Sequence, residues 1–239
     1  MTRVYAAGGL TLDWVRQRGD AVNRGPNVGG NAAYAAVGAM LAGASAEIVA
    51  VLGADYPSAL LDQLAAAGIG TSCSRSTDGP AFRVLLDDSG EEREVSYLPG
   101  SGSNSDLDPV PGQIPADMVG AALHICAIPT ASQMGLIEAA TGQAGLITLD
   151  TVYIPGQIEP SPEELLSLAR RVHVFLPSVQ EVDRFWPGGA ERALQDLLAA
   201  GVSRAVVRLG PAGSIVLIIC GGNSIDIVAR SAWSRSRPA

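Results

Sequence analysis

The residues best suited to chemistry in this chain gather around two glycine turns and the acids at the ends of apolar runs. The first turn, Gly29-Gly30, follows GPNV and opens an alanine-rich stretch, NAAYAAVGAMLAG. Paired glycines ahead of a helix let a ligand come close to the main chain. A phosphate cradle is the obvious use of such a turn, yet neither GxxxxGK[ST] nor GxGxxG occurs. All sixteen basic residues are arginine. That removes a phosphate-binding lysine, the strand lysine of protein kinases and any Schiff-base lysine together. On spacing alone Gly29-Gly30 reads as a tight strand-to-helix turn or as a ligand turn. The second turn, Gly210 to Gly213 in RLGPAGS, lies between two apolar runs and by itself suits a plain hairpin. The acids are Asp13 in GGLTLDW, Asp55 in GAD, Asp150 closing LITLD, and Glu181 in PSVQE. Asp13 and Asn31 equally suit caps of turns or helices, and Glu181 a solvated helix carboxylate. His124 and His173 stand at the starts of apolar strands and read as strand-end or core residues. Cys73, Cys126 and Cys220 form no CxxC pair and no zinc spacing, so they read as reduced thiols.

The elements that must position these residues alternate. RVYAAGGL reads as a strand, residues 30–43 as a helix, EIVAVLG as a strand and PSALLDQLAAAGI as a helix ending in glycine. FRVLLDD and EREVSYLP, joined at Ser89-Gly90, read as a hairpin, and GSGSNSDLDPVPGQIP as a loop. Strand and helix then alternate from ALHICAI to SIVLIIC. Such alternation argues an α/β fold with a mostly parallel sheet. The 239 residues, 47% hydrophobic and 17% charged, suit one large α/β domain or two small ones. The formal charge of −8 and the lack of a basic face argue against a nucleic-acid partner. The N-terminal apolar run stops at Asp13, too early for a signal peptide, and no run reaches the length of a membrane span. A soluble cytoplasmic protein is expected. The missing dinucleotide fingerprint weighs against a nicotinamide dehydrogenase.

The order of these pieces resembles the ribokinase-like (PfkB) carbohydrate kinases. Gly29-Gly30, the helix to Gly43 and the strand ending in Gly53-Ala54-Asp55 match that family's early segment. The hairpin with Pro99-Gly100 resembles its β lid, LITLDTVY its strand ending in aspartate, FLPSVQEVD its PNxxE segment, and AVVRLGPAGSIVL its strand-turn-strand with Gly-x-x-Gly. The match runs over about residues 3–217. The resemblance implies a three-layer α/β/α sandwich, a single domain over 1–239 with a lid around 10–16 and 81–98. It implies ATP-dependent phosphorylation of a sugar or sugar-like hydroxyl, with Mg2+. Asp13, Gly29, Gly30 and Asn31 would bind the sugar or nucleoside-like substrate, and Gly210 and Gly213 the nucleotide. Glu181 would act on the metal through water. A homodimer through the lid is left open.

The sequence departs from that family at four places. Tyr34 stands where an asparagine is usual, Ser178 where PNxxE has its asparagine, and Arg208 where a threonine is common. The fourth is larger. The family's late GAGD motif, whose aspartate is the base and whose helix N-terminus receives the phosphate, is absent after Gly213, and the chain reads as C-terminally truncated. Gly221-Gly222 with Asp226 is a poor substitute, because IDIVA looks like a strand. No catalytic residue is therefore assigned. The expected protein is a kinase by descent with impaired turnover, or a non-catalytic sugar-binding protein or decayed gene product. An exposed apolar face, prone to self-association, is a further expectation.

Overall fold

A computed structural model describes residues 1–17, 22–88, 94–102, 104–154, 156–220 and 224–228. Ser89-Gly90, the expected hairpin turn, and Gly221-Gly222 lie outside them. The described residues form two compact units that divide between Gly145 and Leu146.

In the first unit, β1 (Arg3–Ala7), β4 (Ser45–Leu52), β5 (Gly70–Arg75) and β8 (Ala122–Ile125) make a parallel sheet in the order β8-β1-β4-β5. The central strands are near-continuous apolar runs, as strands covered on both faces require. Tyr5, Ala6, Ala7, Ile48, Val49 and Ala50 are fully buried. Helix α1 (Asn31–Leu41) packs on β1 and β4. Its buried face is Ala32, Ala33 and Ala36, a stripe at helical spacing made of methyls. It ends at Gly43, whose φ of 85° closes the turn. Helix α2 (Ser58–Ala66) packs on β5, and α4 (Thr130–Ala140) on β8; the short α3 (Asn104–Leu107) lies beside β4.

A second, four-stranded sheet is the lid. Its order is β3-β2-β6-β7, with β2 Thr11–Gln17, β3 Arg24–Gly29, β6 Phe82–Asp88 and β7 Glu94–Tyr97. Strands β6 and β7 pair antiparallel, as the hairpin reading expected, and β2 runs parallel to β6. Phe82 and Tyr97 meet edge to face at 5.1 Å across that pair. Three strands escaped the sequence reading: β2, placed only within the lid that the resemblance implied, β3 and β5. Strand β3 carries Gly25, Pro26 and Asn27, residues that signal turns, and it is an edge strand where they are tolerated. Strand β5, GTSCSR, is polar because it too is an edge.

The second unit has β9 (Leu146–Asp150), β10 (Val174–Leu176) and β11 (Arg204–Arg208) parallel, then β12 (Ser214–Cys220) and β13 (Ser224–Val228) antiparallel. Helices α5 (Pro162–Ala169), α6 (Val179–Phe185) and α7 (Gly189–Ala199) alternate with the parallel strands. α5 starts on a reciprocal cap, Ser161 with Glu164, and on Pro162 at its first position. Buried Ala193, Leu194 and Leu197 line one side of α7. The sheet content is mostly parallel, as expected for the α/β class. No helix among the described residues is long and apolar enough to cross a membrane.

Within the first unit, the Gly53-Ala54-Asp55 turn ties β4 to the lid. Asp55 Oδ1 accepts the Ala81 N–H at 2.5 Å, and its other oxygen pairs with Arg83. A side chain at Gly53 would strike Ala81 N at 2.1 Å. The Ala81 amide first, and the Arg83 guanidinium with it, hold the Asp55 carboxyl below its ordinary range against the opposing effect of burial. A carboxyl depressed by folding stabilises above its unfolded pKa, about 4, and that contribution fades as pH falls through the folded value. Asp55→Ala should therefore speed amide exchange at Ala81–Val84 by at least about tenfold while leaving Ile48 and Val49 protected. Hydrogen-exchange mass spectrometry checks it, and acidification of the unaltered protein below about pH 4 should loosen the same segment.

Candidate functional site

Asp13 lies in β2, inside the lid sheet, and is 3% exposed. A buried carboxylate needs hydrogen-bond donors around it, and two hydroxyls serve. Thr11 Oγ1 donates to Oδ1 at 2.5 Å, and Tyr34 Oη donates to Oδ2 at 3.1 Å. Thr11 and Asp13 share a face of β2 because side chains alternate along a strand. Tyr34 reaches over from the first turn of α1, where its amide donates to Gly30 O.

The glycine pair is built against this carboxylate. A Cβ at Gly29 would lie 2.0 Å from Asp13 Cγ, so only a bare backbone fits beside it. Gly30 has φ of 97°, and its Cβ would lie 2.3 Å from Gly9 O. The turn after β1 and the turn before α1 thus touch backbone to backbone, which answers why both glycines are there. Asn31 locks the contact. Its Oδ1 accepts the Gly9 N–H at 2.8 Å, and its Nδ2 donates to Ala127 O at 2.6 Å, just past β8. It does not cap α1, whose N-cap Gly30 receives no side-chain bond. Gly8 is equally confined, with Asn31 Oδ1 at 2.4 Å and Cys126 Cβ at 2.6 Å from where its Cβ would be. Asp13, Gly29, Gly30 and Asn31 are therefore one constellation. Tyr56, buried in the adjoining core, has its hydroxyl pushed up by burial first, then by Cys73 and Asp13, and that hydroxyl lacks a hydrogen-bond partner among the described residues.

The second unit brings together acids and an arginine at successive strand ends. Asp150 closes β9, Ser178 and Glu181 follow β10, and Arg208 closes β11. Ligand sites of parallel α/β sheets lie outside such carboxyl ends. The Arg208 guanidinium pairs with Asp150, whose Oδ1 also accepts the Thr151 N–H at 2.8 Å. Glu181 is 6% exposed and bonds the Ser178 N–H at 2.5 Å, while Ser178 Oγ takes the Glu181 N–H. It is thus a buried reciprocal cap of α6 rather than a solvated carboxylate. Arg208 leads into Gly210 and Gly213, with φ of 58° and 91°. A Cβ at Gly210 would meet nothing within 4 Å, so the backbone of this turn is open, unlike that at Gly29. Asp226 falls in the middle of β13, paired with Ile218, and opens no helix.

His173 Nδ1 accepts the Ile147 N–H at 2.9 Å, a strand-end role as expected. Among the described residues no group of three or more His, Cys, Asp or Glu could hold a metal ion. Sequence reasoning missed Thr11 and Tyr34 as partners of Asp13. The two-residue spacing in TLD held the signal for Thr11; Tyr34 had been visible only as a departure. The Asp150–Arg208 pair joins two residues singled out separately.

Two outcomes follow from this geometry. Gly29→Ala forces the Asp13 carboxylate off its hydroxyls and should cost about 1–3 kcal/mol, the scale of overpacking. Gly38→Ala, in α1 with nothing within 4 Å of its Cβ, should instead hold or gain up to ~1 kcal/mol; urea unfolding compares them. The Asp150 carboxyl is pushed up to about 6, by burial first, with Arg208 opposing and Glu181 adding to the rise. A raised folded pKa means the native state binds the extra proton. The share of stability carried by Asp150 is full below its ordinary pKa of about 4 and declines as pH rises toward 6. Arg208→Ala should move the Asp150 midpoint upward, read by carboxyl carbon chemical shifts.

The pfkB family carbohydrate kinase profile matches residues 15–231. Among solved structures, the PfkB protein from Polaromonas sp. JS666 superposes with a TM-score of 0.75 at 19% identity, covering 96% of this chain and 83% of that one. The apo fructokinase from Vibrio cholerae O395 gives 0.73 at 21% identity, covering 96% and 81%. The aminoimidazole riboside kinase from Salmonella enterica gives 0.72 at 16% identity, covering 90% and 73%. A comparison with curated protein sequences finds no match. The superpositions establish a ribokinase-like α/β fold, and with a profile spanning most of its length the chain belongs to the pfkB family of carbohydrate kinases.

Proposed function

We propose that the first unit binds a sugar or sugar-like polyol through Asp13, and that the second binds ATP along the Gly210–Gly213 turn. The observation that carries this is the Asp13 carboxylate, buried yet ringed by hydroxyl donors beside a bare glycine backbone. A carboxylate oxygen accepts more than one hydrogen bond, so Asp13 can add substrate hydroxyls to those it holds. Such a site rejects ligands that leave its buried groups unpaired. Asn31 serves it by fixing Gly9 and Gly30 in place. Similar proteins bear on the ligands. The Vibrio fructokinase is known with fructose, ADP and calcium ion, and the Salmonella kinase with aminoimidazole riboside and an ATP analog.

For the nucleotide, the open main chain at Gly210 offers approach without a side chain in the way. Asp150 and Glu181 suit a hydrated Mg2+, which takes one or two carboxylates and keeps its waters. When bound, magnesium neutralises phosphate charge. The chain's own part is to position the nucleotide and hold these carboxylates at the strand ends. The exposed edge strand β7, with Val95 and Tyr97 outward, leaves a lid-mediated homodimer as a further proposal.

No GAGD occurs in residues 214–239, and Asp226 sits mid-strand. A general base contributes ~10²–10⁴ in rate, and an oxyanion-type donor ~10²–10³. The 239 residues by themselves should thus bind acceptor and nucleotide but transfer phosphate at least ~10⁴ more slowly than the ~1–100 s⁻¹ of ordinary kinases. A pure binding role is the second reading, favoured by the place of Asp226. Calorimetry with fructose, ribose and ADP, with an ADP-release assay, decides. Asp13→Asn should abolish acceptor binding and spare ADP. Ordinary turnover would overturn the impairment, and acceptor binding indifferent to Asp13 would overturn the site.

A further inference from the structure

We propose that Asp150 and Arg208 form an exchangeable pair: before a nucleotide arrives, Asp150 occupies the guanidinium that the nucleotide's phosphate takes over at the Gly210 turn. This rests on the nucleotide reading above, and gives that same site a further binding residue and a built-in competitor.

Arg208 is pinned by its main chain and open at its tip. Its N–H donates to Pro177 O at 2.9 Å, and it forms a parallel bridge with Ser178. The end of β11 is thereby fixed beside the start of α6. The Arg208 side chain is 45% exposed, while that of Asp150 is only 16% exposed. Among the described residues the guanidinium is engaged through Nη2 alone, on Asp150 Oδ1. The pair is single-ended, whereas a guanidinium fork can hold two oxygens of one anion at once. Two residues further on, Gly210 is exposed, with nothing within 4 Å of where its Cβ would be.

A phosphate at that turn meets a guanidinium held by one oxygen and offers it several. An ion pair with one member so exposed is worth little, because water screens it. Arginine bonds phosphate through charge-assisted, paired hydrogen bonds, so the swap trades one contact for two. It needs only a side-chain rotation, since the main chain stays fixed on Pro177. Asp150 keeps the Thr151 N–H at 2.8 Å throughout, and the charge of Glu181 acts on it. With Arg208 turned to the phosphate, Asp150 is a mostly buried acid short of a cation. That suits the hydrated magnesium of the proposed function. Until then, Asp150 competes with the phosphate for Arg208 and weakens nucleotide binding.

The test is calorimetry of the 239-residue chain with ADP in EDTA, so that no divalent cation contributes. Asp150→Asn keeps the shape and the acceptor for the Thr151 N–H but removes the charge that holds Arg208. It should tighten ADP by about threefold or more, the scale of a partly exposed ion pair. Arg208→Thr should weaken ADP by about tenfold or more, the scale of a hydrogen bond to a charged group. Asp150→Asn added to Arg208→Thr should bring no gain, because the guanidinium it would release is gone. Arg208→Gln is the second variant if the threonine lowers the thermal midpoint. An equal gain in the double variant overturns the exchange, since relief of charge repulsion alone then explains it. So does Asp150→Asn that binds ADP no tighter than the unaltered chain, or ADP affinity indifferent to Arg208; the nucleotide reading survives each of these. No ADP binding to the unaltered chain even with Mg2+ overturns the nucleotide reading and the inference together.

Discussion

The contact on which the first unit depends is a carboxylate pressed against a bare peptide. Asp13 is buried, and a buried charge is costly unless donors surround it. Two hydroxyls supply them, Thr11 from the same strand and Tyr34 from α1, and Gly29 lies so close to the carboxylate that no side chain fits between. The same closeness passes down the chain. Gly30 rests on Gly9 and Leu10, and Gly8 is hemmed in by Asn31 and Cys126. Asn31 then stitches the turn after β1 to the end of β8. Four glycines and an asparagine thus hold two loops at backbone contact, and one acid is carried at their meeting point.

The two units solve the problem of a buried acid differently. Asp13 accepts hydrogen bonds from two neutral hydroxyls among the described residues. Asp150 is matched by a cation, Arg208, so the guanidinium offsets part of the burial that lifts its pKa to about 6. A hydroxyl-lined carboxylate suits recognition of alcohols by hydrogen bonding. An arginine-paired one suits a place where charge is exchanged, since a phosphate can compete for the guanidinium. In the proposed function, alcohol recognition belongs to the first unit and the phosphate-bearing ligand to the second.

Much of this was legible in the sequence, for reasons that differ by residue. The alternation of apolar runs and helical stretches showed the α/β class because parallel strands must be apolar on both faces. The hairpin of β6 and β7 showed through its period of two. Strands β3 and β5 did not show, because edge strands carry turn-forming and polar residues without penalty. Gly29-Gly30 was visible as a turn, but not the reason for it: the partner that excludes a side chain, Asp13, lies sixteen positions earlier, and only the fold brings them so close that a Cβ on Gly29 would lie 2.0 Å from Asp13 Cγ. Glu181 was read as a solvated carboxylate or a distant metal partner. Its bond to the Ser178 amide is local and follows from the Ser-x-x-Glu spacing, which also explains how serine can stand in that position and still start the helix.

The contrast between the glycine turns carries the functional argument furthest. At Gly29 and Gly30 the missing side chains are filled by the protein's own atoms, so those glycines build the site without touching a ligand through empty space. At Gly210 the missing side chain leaves a gap, and the positive φ there exposes main-chain groups that a β-branched residue would cover. The φ of 58° already favours glycine at that position. In a chain without lysine, the cation at that turn is Arg208, which pairs with Asp150. On the proposed reading, a nucleotide phosphate would come to the Gly210–Gly213 turn beside Arg208, whose planar guanidinium suits phosphate geometry.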